Sequence, residues 1–226
     1  MTTTLITGAN KGLGLETARR LLEAGHTVYA GMRDLGSGDA ATDLGAIPVE
    51  LDVTDDASVA AAFAALPALD VLVNNAGIAG TSSGVDDLDV AAMESVLQTN
   101  LVGVVRVTQA ALPLLRRSAN PVVVNVASGL GVPRFLQDPA RVESHVLAVP
   151  YTAAKAGVIT LTVQYAKNLP GMRVNVCDPG YTATDLNGHN GHQTVTEGTD
   201  AAVRLALLGP DGPTGELHDR HGRIAF

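Results

Sequence analysis

Thr3-Thr4-Leu5-Ile6-Thr7-Gly8-Ala9-Asn10-Lys11-Gly12-Leu13-Gly14 runs from a short apolar stretch through a glycine-rich turn into a helical pattern, Leu13 to Ala24. Thr3 to Thr7 is continuously apolar or β-branched, as a strand covered on both faces should be. Glycines directly after such a strand permit a tight turn. They bring backbone N–H groups close to a pyrophosphate, whose charge the positive end of the following helix stabilises. The spacing is Gly-x-x-x-Gly-x-Gly, not the Gly-x-Gly-x-x-Gly of many dinucleotide folds, and a glycine cluster by itself can be an ordinary turn. Strand before and helix after make Gly8, Asn10, Lys11, Gly12, Leu13 and Gly14 a candidate phosphate cradle.

Outward from this turn the same alternation repeats. Thr27 to Ala30, Ile47 to Leu51, Val71 to Val73, Val122 to Val126 and Arg173 to Cys177 read as further buried strands. Helical spacing is seen in Ala57 to Leu66, opened by the capping pair Thr54/Asp55, and in Val90 to Arg117, Thr152 to Asn168 and Gly198 to Leu208. Strands alternating with helices imply right-handed crossovers into one parallel sheet. The expectation is an α/β, Rossmann-type doubly wound parallel sheet flanked by helices. With no linker, charge block or repeat, the 226 residues are expected to form a single domain. Three loops exceed what packing requires: 34–45, 129–150 and 181–197. The last two follow strands, where open α/β sheets bind ligands, so they read either as lids or as surface loops.

Composition narrows the partners. Fifteen Lys+Arg against 23 Asp+Glu give a net charge of −8 with no basic run. This argues against nucleic acid or an anionic membrane surface. A small-molecule substrate is expected, and monomer and homo-oligomer both stay open. Cys177 is the single cysteine, so neither an internal disulfide nor a thiol-ligated zinc cluster is available. A reducing, cytoplasmic location is expected. The N-terminus lacks a signal-peptide pattern and no apolar stretch approaches the roughly 18 residues of a membrane span, so a soluble protein is expected. His189-x-x-His192 and His218-x-x-His221 read as solvated loop histidines, and no metal is expected. Cys177 reads as a small buried residue.

Choice between the two nicotinamide cofactors turns on the end of the second strand. An acid there accepts the ribose diol, whereas an arginine accommodates a 2′-phosphate. The sequence reads Met32-Arg33-Asp34. Arg33 and Lys11 converging on one phosphate favour NADP(H) over NAD(H); the alternative is two solvated cations with Asp34 on the diol.

These residues, with Asp52-Val53, Asn74-Asn75-Ala76-Gly77, Asn100, Ser128, Tyr151-x-x-x-Lys155 and Pro179-Gly180, resemble the short-chain dehydrogenase/reductase family and, within it, NADPH-dependent carbonyl reductases. The motifs occur in the family's order and cover nearly the whole chain. The resemblance implies a catalytic set of Asn100, Ser128, Tyr151 and Lys155. It implies cofactor contacts from Asp52 and Val53 near the adenine, Asn75, Ala76 and Gly77 along the adenosine, Tyr151 and Lys155, and Pro179, Gly180 and Thr182 around the carboxamide. It also implies that Asn100 sits in a helix and steadies a water-linked relay through Lys155.

The chemistry suits the residue types. Tyr151 and Lys155 are one helical turn apart and share a face. A cation beside a phenol favours its ionised form, so Tyr151 is expected to have a lowered pKa and to act as general acid/base. Ser128 is expected to hydrogen-bond the substrate oxygen. The expected reaction is reversible, NADPH-dependent reduction of a ketone or aldehyde to an alcohol. A non-catalytic NADP(H) sensor or an epimerase/dehydratase of a related branch are the alternatives.

Ser128 and Tyr151 lie 23 positions apart, about twice the separation usual in the family, so 129–150 carries an insertion. It is expected to lie near the substrate site and to contribute Phe135 and Leu136, with Tyr181 from the 181–197 lid completing the substrate contacts with Ser128 and Tyr151.

Overall fold

Eight strands form one sheet: β1 (Thr3–Thr7), β2 (Thr27–Met32), β3 (Ile47–Glu50), β4 (Val71–Asn74), β5 (Val122–Val126), β6 (Arg173–Cys177), β7 (Leu217–Asp219) and β8 (Gly222–Ile224). The computed structural model describes residues 1–80 and 85–226. Strand order is β3-β2-β1-β4-β5-β6-β7-β8, with every neighbouring pair parallel except β7–β8. The doubly wound α/β domain follows the sequence expectation, with two departures. The hairpin β7–β8 adds three-residue strands, too short for any hydrophobic period to show. β3, expected to be buried, is an edge strand exposed at both ends, with Ile47 in solvent.

The helices are α1 (Gly12–Glu23), α2 (Asp39–Asp43), α3 (Asp56–Ala64), α4 (Val90–Leu97), α5 (Gly103–Leu115), α6 (Pro133–Leu136), α7 (Val149–Asn168) and α8 (Val195–Ala206). The helix expected from Val90 to Arg117 is divided: a π-helical turn, Gln98–Val102, joins α4 to α5 and buries Asn100. The 34–45 loop contains α2, and the 129–150 segment contains α6, started by Pro133 in the first turn, where its missing N–H costs nothing.

Period-two alternation splits the strands between two cores. Ile6, Val73 and Val124 face one side with Ala18, Leu21, Ala202 and Leu205 of α1 and α8. Leu5, Leu72 and Val123 face the other with Phe63, Val107, Ala111 and Leu115 of α3 and α5. A third cluster joins Val104, Val132, Phe135, Val158, Ile159, Leu217 and Ile224. Among the described residues no helix is long and apolar enough to cross a membrane.

Within the sheet, Asn74 and Asn125 are register partners. The Asn74 amide donates to Asn125 Oδ1 (2.8 Å) and Thr108 Oγ1 (3.0 Å), and the Asn125 amide donates to Thr162 Oγ1 (2.9 Å). This polar row fixes β4, β5, α5 and α7 in mutual position directly below the rim where the parallel strands end.

Candidate active site

The glycine turn after β1 is held by sterics and by the turn after β4. Gly8 (φ +64°) and Gly12 (φ +55°) take left-handed conformations, and a Cβ on Gly14 would lie 2.3 Å from Gly8 O. Asn75 Nδ2 donates to Thr7 O (2.9 Å) and Gly8 O (3.0 Å). The backbone N–H groups of Asn75 and Ala76 donate to Thr7 Oγ1 at 3.0 and 2.9 Å. Asn75 and Ala76 thus brace the turn as well as facing the space above it.

That space is a cleft of about 490 Å³ beyond the carboxyl ends of the strands. It brings together Gly8, Asn10, Lys11, Gly12, Leu13, Gly14, Arg33, Asp52, Val53, Asn75, Ala76, Gly77, Tyr151, Lys155 and Pro179 of the expected cofactor set. The α1 N-terminus at its floor has no side-chain cap and no acid in its first turn, whereas α3, α4 and α8 are capped by Asp55, Asp89 and Thr194. Uncapped first-turn N–H groups require an acceptor, and a dinucleotide's pyrophosphate fits that requirement. Gly180 and Thr182 do not line the cleft: Thr182 is buried, with its hydroxyl donating to Pro179 O (2.9 Å).

Lys11 and Arg33, expected to converge on one phosphate, both line the cleft, where Lys11 Nζ pairs with Asp185 Oδ2 (2.9 Å). Asp185 also accepts from the His189 ring (2.8 Å) and is held below the usual carboxylate range first by its Lys11 hydrogen bond and then by His189. Arg33 stands exposed at the cleft beside Asp34, whose Oδ1 accepts the Gly36 N–H (2.8 Å) to start a short turn.

Tyr151 and Lys155 lie on α7 facing the cleft, with Lys155 Nζ 5.4 Å from the Tyr151 ring centroid. Lys155 is 4% exposed and donates to Val126 O (2.8 Å). Burial lowers its pKa to about 8. Tyr151 departs from the expected shift. Its phenol is held above its ordinary value, first by burial and then by the charge of Asp178. The ammonium donates to a backbone carbonyl, and burial of the phenol outweighs its charge.

Ser128 ends the strand rim after β5, its Oγ accepting the Leu130 N–H (3.2 Å). A Cβ on Gly131 would lie 2.6 Å from the Lys155 carbonyl carbon, so the Ser128 turn is seated on the backbone of α7. Asn100 spends both ends of its amide on one residue: Oδ1 accepts from Ile78 N and Nδ2 donates to Ile78 O, each 2.8 Å. It lies beside Gly77, whose Cβ position is 3.3 Å from Asn100 Oδ1 and 3.7 Å from Lys155 Nζ.

The expected substrate contacts divide. Phe135 is 6% exposed in the third core cluster and Leu136 is half-buried; neither lines the cleft. Phe135 instead borders a separate cavity of about 520 Å³ with Arg134, Arg141 and Arg223, under the Arg141 guanidinium at 3.5 Å from its ring centroid. The physical reason is the hydrophobic surface offered by β7–β8 and α7, which the sequence reading lacked. Tyr181 is exposed against the His192 ring, also outside the cleft. His218, expected in a loop, lies on β7 with its ring against Glu216 (2.8 Å). Cys177 is buried, its thiol pushed up to about 12 by burial. Among the described residues, no three His, Cys, Asp or Glu side chains gather as metal ligands.

Thr184 and Leu186 of the 181–197 segment also line the cleft, together with Ile78, Thr99 and Asp185, which were not anticipated there. Asp178 was also missed: it is a buried carboxylate at the end of β6. An acid directly before Pro179-Gly180 in an apolar strand was its signal.

A family described as short chain dehydrogenase matches residues 2–194. Cis-4-hydroxycyclohexanecarboxylate dehydrogenase of Sinomonas cyclohexanicum is 40% identical over 195 residues, covering 80% of this chain and 74% of its own. (+)-Neomenthol dehydrogenase of Capsicum annuum is 29% identical, covering 93% of each chain. NADPH-bound carbonyl reductase from chicken fatty liver has a similar structure, with a TM-score of 0.87 at 26% identity and coverage of 100% of this chain and 98% of its own.

Proposed function

Because the chain belongs to the short-chain dehydrogenase family, whose members act on CH–OH and C=O groups, we propose that it reduces a ketone or aldehyde with NADPH, with Tyr151 as general acid. The observation that carries this reading is the cleft itself: Tyr151 and Lys155 on one face of α7, above an uncapped helix N-terminus and its glycine turn.

When bound, the dihydronicotinamide supplies the hydride. The α1 N-terminus with Gly12, Leu13 and Gly14 holds the pyrophosphate, Asp52, Val53, Asn75, Ala76 and Gly77 flank the adenosine end, and Pro179 faces the carboxamide. Gly180 and Thr182 act from behind, as the turn that presents Pro179. Arg33 receives the 2′-phosphate, with Asn10 and Ser37 beside it; engagement of Asp34 Oδ1 with Gly36 N–H favours this over a ribose diol. The carbonyl reductase bound to NADPH supports the same choice.

At neutral pH a phenol held above its ordinary range is protonated, which is the form that donates to the substrate oxygen. Ser128 hydrogen-bonds that oxygen. Lys155, near 8, exchanges its proton close to physiological pH and restores the phenol after turnover. Asn100 positions Gly77 and Ile78 beside Lys155. The 181–197 segment is the lid, through Thr184 and Leu186.

The apolar lining from Ile78, Val126, Ala127 and Leu186 suits a medium-sized, uncharged carbonyl compound. The relatives named for hydroxycyclohexanecarboxylate and neomenthol direct the first panel to cyclohexanones. The test is kcat/KM for NADPH and NADH across cyclic ketones, aldehydes and quinones. NADPH is expected to be preferred; a preference for NADH overturns the assignment of Arg33, and tight NADPH binding without turnover on any carbonyl overturns the reaction.

A further inference from the structure

Register brings the ends of β5 and β6 side by side: Val126 pairs with Cys177, and Ala127 N donates to Cys177 O (2.8 Å). The next residue on β6 is Asp178, 6% exposed, with its own N–H donating to His218 O of β7 (2.8 Å). Its Oδ1 accepts the Gly180 N–H at 2.9 Å, and its Oδ2 packs against Gly129, 3.0 Å from where a Cβ there would stand. One buried side chain therefore ties the turn carrying Ser128 to the turn carrying Pro179.

The inserted segment converges on the same carboxylate. A Cβ on Gly129 would lie 2.5 Å from Glu143 Oε1 and 3.0 Å from Asp178 Oδ2, so both acids lie over that glycine, which has room for nothing larger than hydrogen. Glu143 is clamped by Arg141 through Nη2 (2.8 Å) and Nε (3.1 Å). Arg141 is fixed in turn over the buried Phe135 ring.

We propose that Asp178 is a positioning residue for proton transfer at Tyr151, holding the Ser128 and Pro179 turns together with a buried charge that the Glu143–Arg141 pair of 129–150 covers. The inference rests on Tyr151 being the general acid. A fixed negative charge near the phenol opposes its ionisation and so preserves the proton-donating form. The other groups facing this locus are Lys155 of α7, Cys177 of β6 and Asp219 of β7, with Glu143 and Arg141 from the insertion. Asp219 is engaged by the His221 and Gly222 N–H groups of its own turn (2.8 and 3.0 Å). Burial holds the Asp178 carboxyl above the usual range, and the Gly180 N–H (2.9 Å) favours its ionised form.

The test is the pH profile of kcat/KM for NADPH-dependent ketone reduction in the wild type, Asp178→Asn and Asp178→Glu. The alkaline limb belongs to the coupled Tyr151–Lys155 pair. Loss of a negative charge lowers both pKa values, so Asp178→Asn should move that limb toward acid by about one pH unit, with kcat reduced about tenfold at neutral pH. Asp178→Glu should restore the limb. A limb that stays in place in a folded Asp178→Asn protein, or a loss confined to KM, overturns the proposal. Tyr151→Phe, run in parallel, separates the two claims: if it is inactive while the Asp178→Asn limb is unmoved, only the positioning role fails; if it is active, the general-acid reading fails and takes this one with it. If Asp178→Asn does not fold, Asp178→Ser, which also removes the charge, is read by the same profile: a limb moved toward acid relative to the wild type supports the proposal, and a limb that stays in place overturns it.

Discussion

The segment 129–150 sends Phe135 into the core at 6% exposure and clamps Glu143 beneath Arg141, whereas 181–197 leaves Leu186 46% exposed at the mouth of the cleft. Short-range polar bonds hold the second segment: Asn187 Nδ2 donates to Thr182 O (2.9 Å), Thr184 N donates to Asn187 Oδ1 (3.2 Å), and Asp185 pairs with Lys11 and His189. Local opening costs little where few apolar contacts are broken and much where an aromatic ring must leave the core. The contrast assigns different work to two loops beyond the same strand ends. On the proposed reading, one would buttress the Ser128 turn and the other would serve as the wall over the ligand.

Phe135→Ala gives the largest separation. Emptying a ring-sized space in the third cluster should cost about 3–5 kcal/mol by denaturant unfolding. Below its melting point the variant should keep NADPH affinity and ketone KM, because Phe135 does not line the cleft. A selective rise in substrate KM without loss of stability would make 129–150 a substrate wall after all.

Leu186→Ala should show the converse pattern. Its half-exposed side chain contributes about 1 kcal/mol of apolar contact to a bound substrate, so KM for a cyclohexanone should rise about fivefold with Tm unchanged. An unchanged KM across apolar ketones would remove Leu186 from the lid.

Asp185→Ala should have the smallest effect. Its partners are exposed, the Lys11 side chain 64% and Asp185 49%, so the ion pair is screened by solvent. NADPH affinity should change by less than about threefold, in the direction of tighter binding as Lys11 is released toward the phosphates. A large loss of affinity would show that the Lys11–Asp185 bridge closes the lid over the cofactor.

Much of this was legible in the residues. The strand-turn-helix at Thr3–Gly14 determined the sheet's first crossover, and Leu5/Ile6, Leu72/Val73 and Val123/Val124 divided between two cores as alternation requires. Most of the expected cofactor residues line one cleft because motifs after parallel strands must meet at one rim. What sequence could not supply was non-local. Phe135 looked like a substrate contact because its actual partners, Leu217 and Ile224, lie in strands too short to read. Lys155 looked like a cation next to a phenol, but burial and Val126 O decide its charge and direction. Asp178 drew no reading in the sequence, and only the pairing of β5 with β6 puts it beside Gly129.

The central claim is that Tyr151 carries the proton. Single-turnover oxidation of enzyme-bound NADPH by a saturating ketone, wild type against Tyr151→Phe, tests it directly. The rate should fall about 10²–10⁴-fold, the usual contribution of a positioned general acid, while the NADPH Kd stays within about threefold. A variant that binds NADPH normally and still transfers hydride at more than a tenth of the wild-type rate would contradict the account.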